Sequence, residues 1–129
     1  MKTIFIVDDN ETNRMTAKTT LENTYTTYAM PSAQKMFKLL EKIKPDLILL
    51  DIDMPEMDGF NAIKILKSNP ETKNIPVVFL TASKVSGDRL EGLYLGAIDY
   101  ITKPFHPSLL LHRINTSIQR VKNADGEKE

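Results

Sequence analysis

Leu47-Ile48-Leu49-Leu50-Asp51 is an unbroken aliphatic run closed by an acid. A run with no polar alternation reads as a strand buried on both faces, as in a parallel sheet. Two more runs of this kind stand in the chain. Ile4-Phe5-Ile6-Val7 leads into Asp8-Asp9, and Pro76-Val77-Val78-Phe79-Leu80 leads into Thr81 and the small Ala82. Pro76 falls at the strand start, where a missing N–H does least harm. Thr24 to Met30 is richer in Thr and Tyr and reads as an edge strand. Ala97 to Ile101 is a short fifth candidate, followed by Lys103-Pro104.

Between these runs the apolar spacing changes to that of helices. Ala33, Met36, Phe37, Leu40 and Ile43 share a face behind a possible Ser32 cap, and Phe60, Ile63 and Leu66 share another that stops before Asn69-Pro70. Leu90, Leu93 and Tyr94 form a shorter stripe ending at Gly96. Leu111, Ile114, Ile118 and Val121 give the strongest stripe, with Pro107 at its start. Glu11 to Glu22 is the weakest helix, with Met15 and Leu21 as its main large anchors. Strand and helix thus alternate about five times. This predicts a doubly wound α/β fold, a parallel sheet with helices on both faces. Ligands of such sheets lie beyond the carboxyl ends of the strands.

The chain has 129 residues, with 17 basic and 17 acidic side chains and hence no net charge. That length suits one domain, which buries about two-thirds of its unfolded surface. The absence of cysteine excludes disulfides, thiolate zinc sites and a Cys nucleophile. Balanced charge gives no footprint for direct nucleic-acid binding or for an anionic membrane. No apolar run approaches a membrane span or a signal peptide, so a cytoplasmic location is expected. Residues 1–122 are read as the domain and 123–129 as a polar tail or linker stub.

If the strands are parallel and in register, Asp8, Asp9, Asp51, Thr81 and Lys103 meet on one rim. Gathered carboxylates repel and call for a cation. Hard oxygen donors with no Cys or His beside them point to Mg²⁺, with Mn²⁺ as a substitute. A metal, a lysine and a hydroxyl suit phosphoryl transfer. A carboxylate can accept a phosphoryl group as an acyl phosphate, and Asp51, from a central strand, is the best acceptor. Each residue alone has a plainer reading. Asp8-Asp9 could cap the next helix, Asp51 to Gly59 could be an acidic turn, and Lys103 could be a solvated charge. The coincidence at strand ends carries the inference.

The chain resembles the receiver domain of two-component response regulators over about residues 2 to 121. The resemblance is carried by Ile6-Val7-Asp8-Asp9-Asn10, by Asp46 through Gly59, by Pro76 through Ala82, and by Gly96 through Phe105. It implies a flavodoxin-like (βα)5 fold of strand order 2-1-3-4-5. It implies that Asp51 takes a phosphoryl group from a histidine of a sensor kinase or phosphotransfer protein. Asp9 and Asp51 would ligate Mg²⁺ directly, Asp8 largely through water, and Asp53 through its backbone carbonyl. Lys103 would contact the phosphoryl oxygens, Thr81 would swing in to hydrogen-bond them, and Tyr100 would turn inward behind it. Lys103-Pro104 would be a cis peptide. Asp53, Ala82 and Ser83 would tune access and hydrolysis.

The resemblance implies a signalling switch rather than an enzyme, limited to self-catalysed acceptance and slow loss of the phosphoryl group. Its output would pass through the face of the fourth helix, fifth strand and fifth helix to a protein target or a second copy. Asp99 and Arg113 could form salt bridges across such a dimer. The chain could equally be the receiver of a longer regulator with a DNA-binding or cyclic-dinucleotide output domain. A haloacid-dehalogenase-type phosphatase is the enzyme alternative. Asp51-Ile52-Asp53 matches its acidic pair, but Pro55 stands at its Thr/Val position and the motif is mid-chain. His106 and His112 read as surface residues.

Overall fold

The computed structural model describes residues 1–82 and 95–127. The chain runs through β1 (Thr3–Val7), α1 (Glu11–Leu21), β2 (Thr26–Met30), α2 (Ala33–Leu40), β3 (Leu47–Asp51) and α3 (Gly59–Ser68). It continues with β4 (Val77–Thr81), β5 (Asp99–Thr102) and a C-terminal helix (Pro107–Glu127). The strands form one parallel sheet in the order β2-β1-β3-β4-β5, as the resemblance implied. The stripe Leu90, Leu93, Tyr94 and the tuning position Ser83 lie outside the described residues.

Side-chain alternation along each strand builds two cores. Phe5, Val7, Ile48, Leu50, Val77 and Phe79 pack with Met36 of α2 and with Ile63 and Leu66 of α3. Ile4, Ile6, Leu47, Leu49, Val78 and Leu80 pack on the other face with Leu21 of α1 and with Leu110 and Ile114 of the C-terminal helix. Both faces of β1, β3 and β4 are therefore covered, which is why their sequences are unbroken aliphatic runs. Side chains cap the helix starts. Asn10 Oδ1 accepts from Asn13 N at 2.9 Å, Ser32 Oγ from Lys35 N at 3.2 Å, and Asp58 Oδ1 from Asn61 N at 2.8 Å.

Several boundaries differ from expectation. β2 begins at Thr26, because the Thr24 and Tyr25 amides donate to Leu21 O and close α1. Pro76 precedes β4 yet joins the ladder by its carbonyl, which accepts from Ile48 N at 2.9 Å. In α1, Met15 is 51% exposed, and the anchors are Ala17 and Leu21. The C-terminal helix turns Leu110, Ile114 and the unexpected Ser117 inward. It also continues through Glu127, into the segment expected as a frayed tail. Once a helix is nucleated, each further residue adds a bond at small cost, which offsets the weak helix propensity of Asn123, Asp125 and Gly126. Among the described residues no helix is long and apolar enough to cross a membrane.

Candidate functional site

Parallel strands place their carboxyl ends on one rim. Register pairs Val7 with Leu50, so Asp8 follows beside Asp51. It pairs Asp51 with Leu80 and Thr81 with Thr102, which brings Thr81 and Lys103 to the same edge. The Lys103 amide donates to Thr81 O at 2.7 Å. The Lys103-Pro104 peptide is cis.

Asp8 and Asp51 are fully buried. Lys103 Nζ stands 2.9 Å from Asp51 Oδ1 and 3.2 Å from Asp8 Oδ2. Asp51 Oδ1 also accepts from Asp53 N at 3.2 Å, and Asp8 Oδ1 from Asn10 N at 2.9 Å. The second oxygens, Asp8 Oδ2 and Asp51 Oδ2, are buried without a hydrogen bond. The lysine contact to Asp8 is an ion pair. Asp9 is exposed, and one carboxylate oxygen each from Asp8, Asp9 and Asp51 lie within 4.8 Å of one another. The acids are not serving as the helix cap, since that role falls to Asn10.

Electrostatics mark the same place. Burial pushes the Asp51 carboxyl up from 3.8 to about 7; the hydrogen bond from Lys103 pulls it down, and the Asp8 charge pushes it up again. Burial would lower the Lys103 ammonium, but its contacts with Asp51 and Asp8 outweigh this and raise it. Two of the three clustered carboxylates contact one ammonium, and two buried oxygens lack hydrogen bonds. Clustered acidic oxygens of this kind are the donors of a hard divalent cation, so the cluster is compatible with a metal site.

The loop after β3 is held by close backbone packing. A Cβ at Gly59 would lie 2.6 Å from Asp51 O and 2.8 Å from Ile52 Cα, so only glycine fits. Asp58 caps α3, and Glu56 takes φ 69° in the turn between. Asp51 itself belongs to the strand and not to that acidic turn.

Of the remaining expected residues, Thr81 is buried, and Asp53 and Ala82 are exposed at the rim. Tyr100 is half-buried on β5 against the α2–α3 core. Arg113 lies within reach of its own Asp99, Nε to Oδ2 3.6 Å, and donates to Tyr100 O at 2.9 Å. His106 and His112 are exposed and outside the acidic group. Sequence reasoning missed Arg14, whose Nη1 donates to Asp8 O at 2.9 Å. It also missed Met30, whose carbonyl accepts from Asp8 N at 3.2 Å. Arg14 sits one turn into the helix that starts at the rim, which was the available signal.

The sequence pattern of the response regulator receiver domain matches residues 4–115. The chain belongs to the response regulator receiver domain family. It is 40% identical over 123 residues to a probable cyclic di-GMP phosphodiesterase of Vibrio cholerae, covering 95% of this chain and 28% of that protein. It is 41% identical over 121 residues to the response regulator PleD of Caulobacter vibrioides, covering 92% and 26%. Its fold superposes on the chemotaxis protein CheY4 of Vibrio cholerae with TM-score 0.83 and 29% identity, covering 94% and 98%. The chain thus spans about a quarter of the length of those two curated relatives. A receiver domain is a phosphorylation-dependent signalling switch, and this assignment sets the phosphatase alternative aside.

Proposed function

We propose that Asp51 of this receiver domain accepts a phosphoryl group from a partner's phosphohistidine. One observation supports this above the rest: a buried strand-end carboxylate with one free oxygen, paired to Lys103 and grouped with Asp8 and Asp9. In the step, an Asp51 carboxylate oxygen attacks phosphorus and the phosphorus–nitrogen bond breaks. The electron pair returns to the partner's imidazole, which takes up a proton. Lys103 balances charge on the transferring oxygens. Thr81, buried at the next strand end, gives its hydroxyl to the phosphorylated form, and Tyr100 repacks behind it.

The acidic cluster is the place for Mg²⁺, with Mn²⁺ as a substitute. Asp9 and Asp51 would hold it directly, Asp8 largely through water, and Asp53 through its carbonyl. Bound there, the ion supplies positive charge against the developing phosphoryl oxygens. Asp53, Ala82 and Ser83 set how quickly water removes the group. The phosphorylated domain acts in the cytoplasm on a downstream protein, on a second copy, or on an output domain of a longer regulator.

Incubation with acetyl phosphate and Mg²⁺, read by intact mass, tests this. Wild type gains the mass of a single phosphoryl group and loses it slowly; Asp51→Asn and chelated wild type gain none. An unchanged wild-type mass, or a variant that gains the group equally, would overturn it.

A further inference from the structure

A second surface lies at the open edge of the sheet. Among the described residues β2 is an edge strand, paired with β1 alone. Thr26 N donates to Lys2 O, and Met30 O accepts from Asp8 N, so these residues turn their backbone groups inward. Alternation turns the N–H and C=O groups of Thr27 and Ala29 outward. Among the described residues those groups meet no partner.

Beside this edge, Tyr28, Ala29, Met30 and Leu39 line a groove of about 410 Å³ between β2 and α2. Tyr28 is 37% exposed. Lys35, Lys38 and Lys42 stand exposed around the groove, with Glu41 the one acid among the lining residues. The local surplus is therefore 3 − 1 = +2 on a chain whose net charge is zero. A bare strand edge, an apolar groove and a basic border coincide here.

We propose that this edge docks an acidic polypeptide segment as an added strand on β2. The segment's backbone pairs with Thr27 and Ala29. On the face turned to α2, its apolar side chains enter the groove against Tyr28 and Leu39, and carboxylates on that same face meet the lysines at the groove's border. The unpaired backbone edge favours a peptide over other polyanions. A nucleic acid or a lipid headgroup meets the lysines but has no ladder of N–H and C=O groups to match the strand. Long lysine stems add apolar cover over the seated side chains.

The probe is a short fluorescein-labelled peptide of repeating valine-threonine-glutamate-threonine, which puts valine and glutamate on one face of the strand, followed by fluorescence polarisation on the intact chain. Wild type binds it, and binding weakens with salt. The double variant Lys38→Glu, Lys42→Glu weakens binding by about tenfold or more. Thr27→Pro does the same by removing an outward N–H that the fold does not use. A peptide N-methylated at alternate backbone positions binds no better than the variants allow. Each protein variant is checked for a wild-type mass gain with acetyl phosphate, since none of these residues belongs to the acidic site. If Thr27→Pro fails to fold, the lysine variant and the methylated peptide still decide. Equal binding by the methylated peptide, equal binding by the lysine variant, or no binding by wild type would overturn the proposal. So would tighter binding of polyuridylate than of the peptide, which would assign the surface to nucleic acid.

Discussion

Replacing Asp51 by Asn in metal-free protein isolates the strain of burying that carboxylate. Asp51 is fully buried, and burial raises its pKa from 3.8 to about 7. The proton is therefore held more tightly in the folded chain than in the unfolded one. Stability from a raised group is complete below its unfolded pKa and is lost as pH rises through the folded value. At roughly 1.36 kcal/mol per pH unit, wild type should lose about 2–3 kcal/mol relative to Asp51→Asn between about pH 5 and pH 8.5. Lys103, with its own pKa raised, titrates above this window. Urea denaturation of both proteins in chelator at a series of pH values measures the difference. The variant should gain on wild type as pH rises, and saturating Mg²⁺ should remove the gain by stabilising the ionised wild type. Parallel curves for the two proteins across the range would refute it.

Lys103→Met removes the ammonium from two fully buried carboxylates. It should lower stability by about 3–5 kcal/mol at pH 8 in chelator, with partial recovery at pH 5, again by urea denaturation. Gly59→Ala puts a Cβ 2.6 Å from Asp51 O. The backbone must shift, so a loss of about 1–3 kcal/mol and slower acetyl phosphate labelling are expected, and a wild-type melting curve would contradict this. Asp53→Asn keeps the backbone amide that donates to Asp51 Oδ1 and changes only an exposed side chain. Acceptance should persist with an altered phosphoryl lifetime; identical decay by intact mass would count against a tuning role.

The rim was legible because buried parallel strands leave unbroken aliphatic runs, and the residue ending each run must fall at one edge. Asp8, Asp51, Thr81 and Lys103 follow from that rule together with the register. The edge strand was harder to bound, because Thr24 and Tyr25 have strand propensity but are bonded back to Leu21. Met15 looked like an anchor by size, yet α1 packs through the smaller Ala17 and through Leu21. Gly59 was not legible as a site residue, and Arg14 only through its place one turn into the helix that starts at the rim. Their importance rests on approach to Asp8 O and Asp51 O, distances that exist only after the strands assemble. The free oxygen of Asp51 is likewise a fact of three dimensions.

One carboxylate, that of Asp51, is the proposed acceptor, so the most direct measurement locates the acyl phosphate. Wild type loaded with acetyl phosphate and Mg²⁺ is reduced with borohydride, which converts a phosphorylated aspartate to homoserine, and its peptides are sequenced by mass spectrometry. Homoserine at position 51 alone is the predicted result. Homoserine at Asp8, Asp9 or Asp53 instead, or none at any position, would contradict the account.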